Sequence, residues 1–200
     1  MSELEAWLQA AAGSWWLFPA LFALIVGDAF LVVLPGETAV VALGALAAGT
    51  GQPALLPLLA TAALGAFVGD QLCYLLGRAA GTERWRWMRS RPVRAALDRA
   101  RRLLQARAAT VILTARYIPY ARIAVNLTAG ATRFDYRHFC GLSAFAALCW
   151  ACVNVLLGAS IGRLFQGAPL VGMLVSIVVA IGCGLLVDAL LGALRRRRTL

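Results

Sequence analysis

Five charged residues stand inside otherwise apolar stretches of this chain: Asp28, Glu37, Asp70, Arg116 and Arg122. At membrane depth each would cost about 2.5–3.5 kcal/mol on an insertion scale. Left unpaired, the five together would cost on the order of 10 kcal/mol, as much as the whole stability of a domain. They are therefore expected to converge on one another or on water. Three carboxylates against two guanidiniums leave one negative charge in excess, so one acid is expected to carry a proton. The two arginines are fixed cations with forked donors that match a phosphate. A titratable acid beside such a clamp suits proton-linked movement of a phosphate-bearing lipid, with Arg116 and Arg122 holding substrate and Asp28, Glu37 and Asp70 handling protons. The same five charges could equally pair only to hold the fold together. The residues alone leave both readings open.

Composition says what must hold those charges. Of 200 residues, 62% are hydrophobic and 14% charged, far from the balance of a soluble domain and typical of a single integral membrane domain. The first residues carry Glu3 and Glu5 where a secretory leader would be basic, so a cleaved signal is not expected. Net charge is +10, and ten of the nineteen arginines lie between Arg78 and Arg107, with four more at Arg195–Arg198. Beside apolar spans such clusters mark cytoplasmic loops and contacts to anionic lipid, and argue against nucleic acid as a partner. The pair Cys149 and Cys152 lies in an apolar run with no thioredoxin-like strand, and His138 is the one histidine, so neither a redox motif, a metal site nor any cofactor is expected.

Three segments are long enough to cross a bilayer, which takes about 20 residues: 54–77, 139–161 and 168–194. Two others are interrupted. Segment 15–50 contains Asp28, Pro35, Gly36 and Glu37, and its second arm is too short to span. Segment 108–132 carries Arg116, Pro119 and Arg122. The basic loop 78–107 and the basic tail 195–200 both belong on the cytoplasmic side. Segments 139–161 and 168–194 make two crossings, so 108–132 must enter and leave by the cytoplasmic face as a re-entrant hairpin. Segment 15–50 is either a hairpin dipping from outside, or a full crossing over 15–34 followed by a re-entrant arm. Non-helical backbone at depth survives only where protein or a polar cavity surrounds it, so Pro35-Gly36 is expected at the tip of a broken helix that delivers Glu37 to an internal polar site. Asn126 and Thr128 are expected to satisfy backbone groups freed in the second hairpin. Within 78–107, Val93, Ala96, Leu97, Ala100, Leu103 and Leu104 recur at helical spacing among arginines, as in a helix lying on the membrane surface or a solvated basic linker. A faint repeat relates Pro35 and the span ending at Gly77 to Pro119 and the span containing Gly158. It suggests an inverted pair of hairpin-plus-span halves, an arrangement that in transporters puts the substrate site at the midplane. The expected fold is thus an all-α polytopic membrane protein with an additional C-terminal transmembrane helix.

Three motifs carry a resemblance: "DAFLVVLPGET", then "GDQLCYLLGRAAG", then "ARYIPYARIAVNLTAG". In this order and spacing, over roughly residues 28–162, the chain resembles the DedA family, also called the SNARE-associated or VTT-domain superfamily. The resemblance implies a multi-pass protein of the bacterial inner membrane with two opposed re-entrant hairpins, a cytoplasmic C-terminus and no enzymatic activity. It implies transport of undecaprenyl phosphate or a similar polyprenyl-phosphate lipid, driven by the proton-motive force, for envelope synthesis. The family's essential acids fall on Asp28 and Glu37 and its essential arginines on Arg116 and Arg122. Gly69, Asp70, Gly77 and Arg78 match the middle motif, and Pro35, Pro119 and Gly130 the hairpin positions. The chain departs from the pattern at Val32–Val33, where a further proline is common, and at Tyr117, Tyr120 and Asn126, where Phe, Gly and Pro are usual. The rivals are a non-selective phospholipid scramblase and a membrane lipid-phosphate phosphatase, which would want a histidine among several cations. A homo-oligomer is compatible with the sequence.

Overall fold

The computed structural model describes residues 13–31, 35–81, 91–116, 118, 120–165, 171, 174–175 and 177–179. The expectations for Pro119, the tail 195–200 and almost all of segment 168–194 fall outside the described residues. Within them the fold is six helices and no strand: α1 Leu17–Asp28, α2 Gly36–Thr50, α3 Leu55–Ala80, α4 Arg91–Ala115, α5 Ala121–Ala131 and α6 Tyr136–Leu164.

Length separates these helices into two kinds. At about 1.5 Å per residue, the 26 residues of α3 and the 29 of α6 exceed the roughly 30 Å hydrocarbon core, and both are apolar enough to cross it. The 12 residues of α1 and the 15 of α2 are apolar but reach only about 18 and 22 Å. Of segment 15–34, α1 covers only Leu17–Asp28. The chain resumes as helix at Gly36, where Pro35 stands just outside the first turn; its missing N–H is no loss there.

Helix α4 begins in the basic loop and runs on into the second interrupted segment. It carries a backbone break at Arg107, φ −146° and ψ 48°, which divides an arginine-rich part from the apolar part that follows. On the basic side Leu104 is buried and Leu103 is half exposed, so the helix packs one edge on the protein. The side chains of Val93 and Ala96 lie outside the described residues.

Small residues set how the helices approach. A side chain at Gly65 would meet Ile25 and Phe22, and one at Gly69 would meet Ala29 and Val26. The two registers advance together, so α1 and α3 point the same way. Two tighter crossings share one pattern. Gly44 in α2 abuts Val155 of α6 while Gly158 abuts the carbonyl of Val41; Gly130 in α5 abuts the carbonyl of Tyr74 of α3 while Gly77 abuts that of Leu127. In both, the paired positions are three residues apart on each helix. Backbone-to-backbone contact of this kind is how helices gain van der Waals packing where lipid removes the hydrophobic drive.

Two apolar cores result. One gathers Leu21, Ile25, Val40, Leu58, Trp150 and Val155. The other gathers Tyr74, Leu104, Ile112, Ala129 and Phe139. Outside them Leu64, Leu75, Leu76, Phe145, Leu148 and Leu156 remain exposed on α3 and α6, as expected of faces turned to lipid.

Candidate functional site

Asp70 lies on α3 beside Gln71 and is 2% exposed. Its carboxylate is fully engaged. Oδ2 accepts from Arg116 Nη1 and from Ser143 Oγ at 3.1 Å, and Oδ1 accepts from Asn126 Nδ2 at 2.8 Å. Three helices besides its own segment converge here: Arg116 follows the end of α4, Asn126 is on α5 and Ser143 on α6. Arg116 is held from a second direction by the ring of Trp150, whose centroid lies 5.6 Å from the guanidinium carbon, a cation–π distance. Ser143 also accepts from Gln71 Nε2 at 3.3 Å.

The second ion pair lies where α1 ends. Arg122 Nη2 donates to Asp28 Oδ2 at 3.2 Å and to the Asp28 carbonyl at 2.9 Å. A cation there satisfies a free C-terminal carbonyl of α1 and suits the negative end of its dipole. Gly36 makes room for Asp28: a Cβ on Gly36 would sit 3.2 Å from Asp28 Cβ and 3.3 Å from its carboxyl carbon. The Asp28 side chain is thereby laid against the first turn of α2, where the helix dipole favours an anion. Glu37 occupies the same turn, one residue after the Gly36 that packs on Asp28. It is exposed and makes no hydrogen bond or ion pair among the described residues.

The structure thus brings four of the five expected charges into two Asp–Arg pairs and leaves Glu37 beside one of them. Pro35 and Gly36 stand at the start of α2. Gly130 is a contact point between α5 and α3. Asn126 differs from expectation. Its amide binds the Asp70 carboxylate instead of a freed backbone group, because a carboxylate buried against three helices needs donors more than the helical backbone of α5 does. The sequence reading missed Gln71, Ser143 and Trp150. Ser143 is completely buried in an apolar helix, and a hydroxyl in the middle of such a run is a signal that could have found it.

Among the described residues no group of three or more His, Cys, Asp or Glu is arranged to hold a metal ion. His138 gives its backbone N–H to Asp135, which caps α6 at 2.8 Å, and its ring leans on Phe134; it stands apart from both ion pairs.

The break at Tyr120 accounts for one departure in the sequence. Tyr120 has φ 63°, the left-handed region that glycine enters freely and a tyrosine enters at a cost of about 1–2 kcal/mol.

Comparison with known proteins joins these features to a family. The family model described as the VTT domain matches residues 34–160, which takes in Glu37, Asp70, Arg116 and Arg122 and begins just after Asp28. An "uncharacterized membrane protein" of Synechocystis sp. is 30% identical over 141 residues, 66% of this chain and 61% of that protein's length. The chain therefore matches less than two thirds of that relative. No solved structure matches. The chain is a membrane protein of the VTT-domain family, also known as the DedA or SNARE-associated family.

Proposed function

We propose that this protein is a flippase of the bacterial inner membrane that moves undecaprenyl phosphate, or a similar polyprenyl-phosphate carrier lipid, in step with protons. One observation carries this reading. The two arginines that flank the interrupted segment after α4 each reach an acid on another segment, Arg122 to Asp28 and Arg116 to Asp70.

The packing supports two opposed re-entrant hairpins. Helices α1 and α2, too short to cross, meet at the break before Gly36, and the end of α4 and α5 meet at the break around Tyr120. The matched glycine contacts of α2 with α6 and of α5 with α3 support an inverted repeat of hairpin plus span. In such folds broken helices and substrate converge near the midplane, and alternating access comes from rocking one half against the other. Here the breaks converge on the two ion pairs.

In this mechanism a lipid phosphate replaces a carboxylate on a guanidinium. Arg122 exchanges Asp28 for the phosphate, and the freed acid takes up a proton from one face and gives it to the other as the halves move. Glu37, exposed and beside Asp28, relays that proton. Asp70 holds Arg116 in place. The basic loop and C-terminal arginines lie on the cytoplasmic side and bind anionic lipid headgroups.

Transfer of undecaprenyl phosphate across reconstituted vesicles tests this, with and without a pH gradient, for the wild type and Arg122→Ala. The expected result is gradient-dependent transfer that falls at least about tenfold in the variant, the scale of one lost charge-assisted contact. Transfer of many phospholipids without a gradient would replace the flippase with a scramblase. Release of inorganic phosphate would make the protein a phosphatase. A folded Arg122→Ala that transfers normally would remove the arginine from the substrate site.

A further inference from the structure

Each short arm packs on the span of the other half of the proposed repeat. Gly158 of α6 abuts the carbonyl of Val41 and Gly162 that of Ala45, so α2 and α6 run parallel in backbone contact. Gly77 of α3 abuts the carbonyl of Leu127, and Gly130 of α5 abuts that of Tyr74. Asp70 and Asn126 are bonded one turn earlier on both helices, so α3 and α5 are parallel too. Helix α1 joins this second pair, since Gly65 and Gly69 of α3 face Ile25 and Ala29. Backbones this close cannot slide past one another without collision. The helices therefore form two bodies, α2 with α6 and α1 with α3 and α5, and α4 packs across both.

The bodies touch at Gly36 and Asp28, and along the joint where α3 lies against α6. No glycine contact joins α3 to α6 among the described residues. Asp70 meets Ser143, and one turn along Tyr74 stacks on Phe139 with ring centroids 4.6 Å apart, so these helices run antiparallel. The same register in the other direction sets Ala66 by Ala147, Ala62 by Ala151 and Leu58 by Val155, all members of the first core. The two ends of the joint differ. Towards the basic loop it is fastened: Ser143 donates to Asp70, Gln71 donates to Ser143, and Tyr74 Oη donates to the Phe134 carbonyl at 2.6 Å. Away from that loop the facing residues are mostly alanines, whose short side chains interlock little and suit the small sliding of a shear motion.

The turns that tie one body to the other are built alike. Thr50 Oγ1 and Thr132 Oγ1 each bond the carbonyl four residues back at 2.8 Å. The residue that follows, Gly51 or Arg133, is left-handed, with φ 77° or 53°. Hinges are commonly a few such residues at the ends of elements. We infer that the two bodies are the parts that move, that the two threonine turns are their hinges, and that Ser143, Gln71 and Tyr74 form a gate, closed here, at the end of the joint nearest the basic loop. Opening parts Ser143 from Asp70 and Tyr74 from Phe134, while Asp70 keeps Asn126 within its own body. Arg116 lies between Asp70 on one body and the Trp150 ring on the other, so it is the charge that opening uncovers. The inference rests on the transport reading above but not on the identity of the lipid.

The test places pairs of spin labels on the full chain in vesicles, with the native cysteines replaced by alanine. Leu76→Cys with Arg137→Cys reports across the gate, and Leu76→Cys with Ala20→Cys lies within one body; all three positions are exposed. With undecaprenyl phosphate added, the first distance should gain a second population longer by about 5 Å, the size of a one-turn shift. The second distance should hold. Ser143→Ala with Tyr74→Phe, which unfastens the gate and leaves every charge in place, should raise the longer population without lipid. A first distance that stays single and unchanged in both experiments, or a second distance that lengthens with it, overturns the inference. Gradient-dependent transfer beside a single fixed distance would remove the gate and leave the flippase reading standing. A fixed distance with no transfer of any lipid would bring down both.

Discussion

The two Asp–Arg pairs use the same residue types in different surroundings. Asp70 and Arg116 are 3% and 2% exposed at their side chains, while Asp28 and Arg122 are 17% and 14% exposed. Asp70 gathers donors from Arg116, Asn126 and Ser143. Among the described residues Asp28 has only Arg122, whose second bond goes to backbone. A buried charge stripped of its partner is expensive, whereas a partly hydrated pair gives up little when it opens. The first pair is therefore suited to fix geometry and the second to change partners, as the proposed exchange of a carboxylate for a lipid phosphate requires.

The largest effect should come from the buried pair. Asp70→Ala leaves Arg116 uncompensated and should cost about 3–5 kcal/mol, read as a loss of thermal stability in detergent. If Asp70→Ala is no more harmful than Asp28→Ala, the distinction between the pairs fails. Next comes the packing that carries them. Gly130→Ala would push a methyl into the Tyr74 carbonyl and should cost about 1–3 kcal/mol. Gly141→Ala on α6, which meets nothing within 4 Å, should change stability by no more than about 0.5–1 kcal/mol, in the stabilising direction.

The outer pair should behave in the opposite sense. Asp28→Asn is expected to cost about 1 kcal/mol or less in stability, yet to lower gradient-dependent lipid transfer as severely as Arg122→Ala. Transfer measured in vesicles beside a melting curve separates the two losses, and a stable Asp28→Asn with normal transfer would assign this pair a structural role. The smallest effect is at the second break. Tyr120→Gly relieves a left-handed tyrosine and should gain up to about 1 kcal/mol, visible as a small rise in melting temperature.

Much was determined by residue order alone. Apolar length separates helices that can cross from those that cannot, and Pro35-Gly36 and the charged runs interrupt the rest; these follow from local propensity and the cost of burying charge. The identity of the motifs was legible for the same reason, since charges this costly stand out in a chain so apolar. Which acid meets which arginine was not legible. Asp70 and Arg116 are 46 residues apart, and Asp28 and Arg122 are 94 apart. The packing of α1 and of α5 on α3, at Gly65 and Gly69 and at Gly77 and Gly130, brings their segments to one place. Gln71, Ser143 and Trp150 likewise take their meaning from neighbours on other helices. Tertiary structure decided the pairing because burial and hydrogen-bond partners, which set the worth of a charge, are properties of the space around it.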